Sequence, residues 1–212
     1  YNSIAQVYEE WGDWDKAKIN YNKCYDYCNE ENNLLTWPLC TSIILSSSFI
    51  RAYPLSNEYL SIHYSEVISN LDKLIKSANE NKNYEDLSGA LLIKSHILLE
   101  NSHIDTTVEY DEIIKQIEQA VEICENMKFT DDSSSYEFRN KPLIKYLAYG
   151  YSLLGFVYEN KNDFSNSVKY YRKAIVVREN LKDSDLTGLH REYYHLAEAF
   201  YNLDDYDNAI LY

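Results

Sequence analysis

Histidine, cysteine and carboxylate side chains are the groups of this sequence that could carry out chemistry, and their spacing matches no known site. His190 and His195 are five residues apart, which on a helix directs the two rings apart instead of aligning them as metal ligands. No CxxC pair occurs, and no cysteine lies at zinc-ligand spacing from a histidine. Motifs for a nucleophilic serine, a phosphate-binding glycine loop and a zinc protease are also absent. We therefore expect no catalytic residue, metal or cofactor, and a protein that is not an enzyme.

The cysteines also indicate a cellular compartment. Cys24 and Cys28 are four residues apart on one predicted helical face, where a disulfide is geometrically awkward. Free thiols are usual in a reducing compartment, and the sequence has no Asn-x-Ser/Thr glycosylation site. A cytoplasmic protein is the expectation.

The charge of the chain limits the classes of partner. The 212 residues include 20 Lys and Arg against 34 Asp and Glu, a formal net charge of −14. A nucleic-acid binder needs a basic face, and an anionic membrane would repel this chain, so neither is an expected partner. Uncharged runs such as Thr36–Ile50 are too short and too rich in Ser and Thr to span a bilayer. The charge favours basic or neutral partners.

One spacing of residues recurs along the chain and predicts its helices. An aromatic residue is followed by an apolar residue or Cys three positions later, a small residue four positions later and an apolar or aromatic residue seven positions later. These offsets place the four residues on one stripe of a helix, and the small residue lets a second helix approach closely. The five copies are Tyr1-Ile4-Ala5-Tyr8, Trp37-Cys40-Thr41-Ile44, Tyr84-Leu87-Ser88-Leu91, Tyr151-Leu154-Gly155-Tyr158 and Tyr193-Leu196-Ala197-Phe200.

Three of the copies are followed by a polar turn and a second helical pattern. The turns are Gly12-Asp13-Trp14, Asn162-Asp163-Phe164 and Asp204-Asp205-Tyr206. In each, an Asp stands where a helix N-cap is expected. The repeating unit is thus predicted to be a helix–turn–helix hairpin. The pattern is already running at Tyr1 and still running at Tyr212, so we interpret the chain as a fragment of a longer protein.

The combined pattern resembles the tetratricopeptide repeat family, with elongated or irregular repeats. Tyr151 to Val177 matches best, and the two middle units lack both the Asp-aromatic turn and the signature of the second helix. The resemblance implies an all-α fold, a right-handed α-solenoid of about five stacked hairpins in one domain spanning residues 1–212. The predicted hairpins cover residues 1–29, 36–80, 84–127, 141–181 and 187–212.

In this family the first helices of the hairpins line a concave groove, which implies a set of binding residues. The first, fourth and fifth units contribute Asn2, Gln6, Glu9, Tyr149, Ser152, Phe156, Glu159, Arg191, Tyr194, His195, Glu198 and Tyr201. Aromatic rings with interspersed amides, carboxylates and a guanidinium suit a peptide, whose side chains they grip and whose backbone they hydrogen-bond.

The resemblance implies a non-catalytic scaffold that binds a protein or peptide carrying basic and apolar residues. The alternative is a ligand- or peptide-sensing regulatory domain of a larger signalling or transcription-regulating protein. A second copy of the chain is a further candidate partner, through the last hairpin, which the end of the chain truncates.

Overall fold

The computed structural model describes residues 57–101, 109–128, 141–180 and 186–212, together with seven single positions between residues 4 and 23. The described ranges from residue 57 onward form seven α-helices and contain no strand, so the predicted all-α fold is confirmed. The helices are α1 (Asn57–Glu80), α2 (Tyr84–Asn101), α3 (Tyr110–Lys128), α4 (Lys141–Asn160), α5 (Phe164–Glu179), α6 (Leu186–Asn202) and α7 (Tyr206–Leu211). None of them is long and apolar enough to cross a bilayer.

The chain divides into two compact units, Tyr1–Asn81 and Lys82–Tyr212. In the first unit, α1 buries Leu71, Leu74 and Ala78, whose offsets of three and seven place them on one helical face. The repeat copies that begin at Tyr1 and Trp37 lie largely or wholly outside the described residues. The division into five hairpins within one domain stays a prediction.

The second unit is built by successive packing of α2 to α7. Each helix packs against the next one in the chain, and α4 also contacts both α2 and α6. Each helix of an α-solenoid contacts the next helix and the one after that. Each hairpin thereby buries its apolar face against its neighbours. The solenoid class that the sequence predicts is therefore confirmed.

The turns before α5 and α7 have one geometry, and it explains their sequences. Asn162 and Asp204 adopt left-handed backbone conformations with φ of 57° and 59°, which Asn and Asp tolerate better than most residues. Asp163 then caps α5 by accepting a hydrogen bond from the Asn166 backbone N–H at 3.2 Å. Asp205 caps α7 in the same way.

The turn before α2 has the same form with different residues. Lys82 takes the left-handed conformation with φ of 55°, and the Asn83 side chain accepts the Asp86 backbone N–H at 3.3 Å. The sequence pattern missed this turn because Asn replaces the capping Asp. Asn and Asp are about equally good N-caps, so the structure is unchanged.

Gly155 on α4 permits close packing of α4 on α5. A Cβ atom at this position would lie 2.8 Å from two ring carbons of Tyr171 on α5. Tyr171 is fully buried, and the contacted atoms belong to the body of its ring, so the ring has little room to withdraw. The small residue of the repeat pattern thus lies at the helix contact that the sequence predicts.

We expect Gly155→Ala to lower the free energy of unfolding by about 1–3 kcal/mol through overpacking against Tyr171. The sign is informative because Gly→Ala at an open helical position raises helix stability by up to about 1 kcal/mol. Urea unfolding followed by circular dichroism measures the change, with the exposed mid-helix Ser69→Ala as control. Unchanged or increased stability of Gly155→Ala would contradict this packing, and Gly155→Leu should cost more.

Candidate binding site

The structure places nine of the twelve predicted groove residues on two helices. Tyr149, Ser152, Phe156 and Glu159 lie on α4, and Arg191, Tyr194, His195, Glu198 and Tyr201 lie on α6. Asn2, Gln6 and Glu9 lie outside the described residues, so their place in a groove stays a prediction. Of these nine residues, Ser152 is buried, Arg191, Tyr194 and Tyr201 are exposed, and the other five are half-buried.

A buried polar network centres on Glu192, which is not one of the predicted groove residues. This residue of α6 is only 1% exposed. Its Oε1 atom accepts a hydrogen bond from the Ser152 hydroxyl of α4 and another, of 2.7 Å, from Nε of Arg178 on α5. One carboxylate therefore joins three helices in a buried ion pair. Ser152 was predicted as a groove residue, and the structure places it in this buried network with 3% of its surface exposed.

A signal for Glu192 does exist in the sequence. It lies three residues after Leu189 and four before Leu196, on the apolar stripe of α6. A carboxylate on such a stripe must be paired or must distort the packing, because burying an unpaired charge is costly.

Tyr149 is half-buried and contacts α2. Its hydroxyl shares a hydrogen bond with Nδ1 of His96 on α2, and the two rings meet edge to face. This contact joins the first helices of two successive hairpins in the second unit. Tyr149 is therefore partly committed to holding α2 against α4.

Tyr171 of α5 organises the middle of the site. Its hydroxyl donates a 2.8 Å hydrogen bond to Glu159, and its ring stacks on His195 with centroids 5.5 Å apart. Phe156 meets the same imidazole edge to face, with centroids 6.1 Å apart. Burial raises the pKa of the Tyr171 hydroxyl far above its usual range, and the adjacent Glu159 charge raises it further.

A small, partly enclosed cavity lies among these side chains. Its volume is about 110 Å³. Its wall combines charged or polar groups with aliphatic and aromatic carbon. The lining residues are His96, Ser152, Leu153, Phe156, Tyr171, Arg191, Glu192 and His195.

Beside the cavity, three side chains offer atoms that could hold a cation. Nδ1 of His195 lies 3.4 Å from a carboxylate oxygen of Glu159 and 3.6 Å from one of Glu198. All three atoms lie within 4.8 Å of one another, a grouping that could coordinate a metal ion. The sequence predicted no metal ligands, because the spacing of His195 was compared only with His190, whose ring points elsewhere on the helix.

Several exposed side chains form an apolar surface on α6 and α7. Tyr194 and Tyr201 are 61% and 63% exposed, and on α7 Tyr206 and Ile210 are exposed as well. Together with Ala197, Glu198 and Ala209 these residues line an open depression of about 440 Å³. We call it the tyrosine surface. Glu198 lies within it, and the charge of Glu198 is the largest influence raising the pKa of Tyr194.

Comparison with known proteins identifies a family that parts of the chain match. The sequence profile named Tetratricopeptide repeat matches residues 1–31 and 148–180. The second stretch contains most of α4, the turn at Asp163 and all of α5, which is one complete hairpin. Both matched stretches are similar to the tetratricopeptide repeat, which supports assignment of the chain to that family. Comparison with curated proteins gave no match.

Among solved structures, the crystal structure of BtubC (BKLC) from P. vanneervenii is similar to this chain. The match covers 98% of this chain and 73% of the other, with a TM-score of 0.56 and 16% sequence identity. At this identity the likeness concerns the fold alone. It agrees with the helical-repeat architecture described above.

The raised pKa of Tyr171 predicts alkaline destabilisation. In the unfolded chain a tyrosine ionises near about pH 10, whereas the folded protein keeps the Tyr171 proton to a higher pH. Above about pH 10 the unfolded state therefore binds fewer protons than the folded state. The free energy of unfolding should then fall by about 1.4 kcal/mol per pH unit through this group.

Urea unfolding of the parent and Tyr171→Phe between pH 8 and pH 11 measures this effect. Tyr171→Phe should be less stable at pH 8, because it lacks the hydrogen bond to Glu159, and should lose stability less steeply above about pH 10. The buried, non-ionising change Ile175→Val should shift stability equally at every pH. Parallel curves for the parent and Tyr171→Phe would refute the assignment.

Proposed function

We propose that the chain is a non-catalytic module that binds a protein or peptide partner along α4 and α6. Tetratricopeptide repeats generally mediate protein–protein interaction and typically act as scaffolds, which supports the general class. The particular groove, and the basic and apolar character of its partner, are our proposal.

The tyrosine surface is the observation that carries this proposal. Tyr194, Tyr201, Tyr206 and Ile210 leave a contiguous area of aromatic and aliphatic carbon in solvent. Large exposed apolar areas with polar rims often mark binding surfaces, and tyrosine is enriched at the energetic centres of interfaces. The rings also keep a hydroxyl for hydrogen bonds to a peptide backbone.

The charge around the tyrosine surface supports the choice of partner. Glu198 lies within it, Asp204 accepts a hydrogen bond from the Tyr206 hydroxyl, and Asp207 is exposed on α7. The whole chain carries a net charge of −14. A partner with Lys or Arg beside apolar anchors would meet complementary charge during encounter and aromatic carbon on docking.

Replacing both Tyr194 and Tyr201 with Ala should weaken binding by about 2 kcal/mol or more, since both rings are exposed and free to act as anchors. The partner is first isolated with the parent chain, and its affinity for each variant is then measured by titration calorimetry. Tyr84→Ala at the start of α2 is the matched control, because that ring is also exposed. If the double variant binds the isolated partner as tightly as the parent does, the tyrosine surface is not the site.

Reversing Glu198 to Lys should mainly lower the association rate at low salt, because long-range attraction speeds encounter more than it holds the complex. The difference from the parent should shrink as salt rises toward 1 M, where charges are screened within about 3 Å. Stopped-flow mixing with the isolated partner measures the rate, with exposed Glu122→Lys on α3 as control. An unchanged association rate in low salt would argue against electrostatic attraction to this surface.

A further inference from the structure

One oxygen of the buried Glu192 carboxylate has no hydrogen-bond partner. The Oε1 atom accepts from Ser152 and Arg178, whereas Oε2 is fully buried and accepts from no group in the described part of the chain. A buried acceptor without a donor costs about 1–3 kcal/mol, and more for a charged group. Native proteins rarely keep such a group unless water, an ion or a ligand supplies the donor.

Glu192 also lines a cavity that has space for a donor group. Its volume of about 110 Å³ is somewhat smaller than the roughly 150 Å³ of a cavity known to hold benzene, so a group of a few atoms fits. Leu153, Phe156 and Tyr171 contribute apolar and aromatic wall next to the carboxylate. The site thus combines one unpaired anionic acceptor with hydrocarbon surface.

We propose that this cavity is a subsite for the ammonium group of a lysine side chain of the bound partner. An ammonium group has three donors and no acceptor, so it can satisfy Oε2 without leaving an acceptor of its own unpaired. The lysine methylenes would lie against Leu153 and the rings, which also attract a cation. This subsite rests on the function proposed above and specifies the basic residue of the partner.

The charges around the cavity decide between possible cations. Arg178 already donates to Oε1 of Glu192, and Arg191 on the wall is exposed and opposes any entering cation. Glu159 and Glu198 lie beside His195 and favour a cation. A guanidinium group would bring five donors to a site with one unpaired carboxylate oxygen, so lysine fits better than arginine.

The test uses n-butylammonium as the probe and amide chemical shifts of the complete 212-residue chain as the readout, with a chelator present to exclude metal. Saturable shifts are expected at amides around the cavity, including Leu153, Phe156 and Glu192. Butyltrimethylammonium carries the same charge but has no N–H donor, so it should bind at least tenfold more weakly. Equal responses to both probes, or no saturable response, would overturn the subsite.

Two variants act in opposite directions. Glu192→Gln should weaken n-butylammonium binding at least tenfold, and the control Glu122→Gln on α3 should leave it unchanged. Arg191→Gln should strengthen binding several-fold, because it removes the opposing charge from an exposed position. Glu192→Gln removes the charge that pairs with Arg178 and could unfold the protein. In that case Arg191→Gln alone tests the subsite. An unchanged affinity in Arg191→Gln would also overturn the subsite.

The outcomes separate this subsite from the proposed function. Suppose that the double Tyr194 and Tyr201 variant loses partner binding but the parent chain does not bind n-butylammonium. The tyrosine surface would then be supported as the binding site, and the subsite would be refuted. Binding of n-butylammonium with partner affinity unaffected by the tyrosine changes would keep the ammonium site and remove the tyrosine surface. A final measurement compares the effect of Arg191→Gln on affinity for the parent partner and for a partner in which one lysine is replaced by norleucine. If the effect disappears with the norleucine partner, that lysine is the occupant of the subsite.

Discussion

The close contact between Gly155 and the ring of Tyr171 is the constraint on which the rest of the site depends. With no side chain on Gly155, α5 approaches α4 until the tyrosine ring covers the glycine backbone. That position brings the hydroxyl to Glu159 and presents the ring to His195 of the next hairpin. A residue that serves repeat packing therefore also builds the wall of the cavity.

The buried ion pair of Arg178 and Glu192 is a second constraint, of a different kind. Apolar packing tolerates small sliding movements of helices, whereas a carboxylate that bonds to Ser152 and Arg178 fixes the relative positions of α4, α5 and α6. Buried ion pairs often add little net stability, because desolvation offsets the attraction between the charges. The value of this pair for function would lie in the fixed geometry of the cavity that it borders.

In the proposed function, the two parts of the candidate site would divide recognition between them. The tyrosine surface offers area and aromatic carbon, which would supply affinity without demanding one sequence. The cavity beside Glu192 offers a single charged acceptor in a partly enclosed space, which would select the chemistry of one side chain. Specificity of this kind depends on leaving the wrong partner with an unpaired group more than on adding contacts to the right one.

The sequence by itself indicated the helical repeat pattern, the resemblance to tetratricopeptide repeats, the capping role of Asp163 and Asp205, and the close approach at Gly155. All of these depend on residues within one or two turns of each other, so the helical period is enough to find them. Tertiary structure alone decided that Glu192 is buried and that its partners lie 40 residues back at Ser152 and 14 residues back at Arg178. Periodicity assigns a residue to a face of its own helix. Whether that face contacts solvent, apolar side chains or another charged group depends on how the three helices pack.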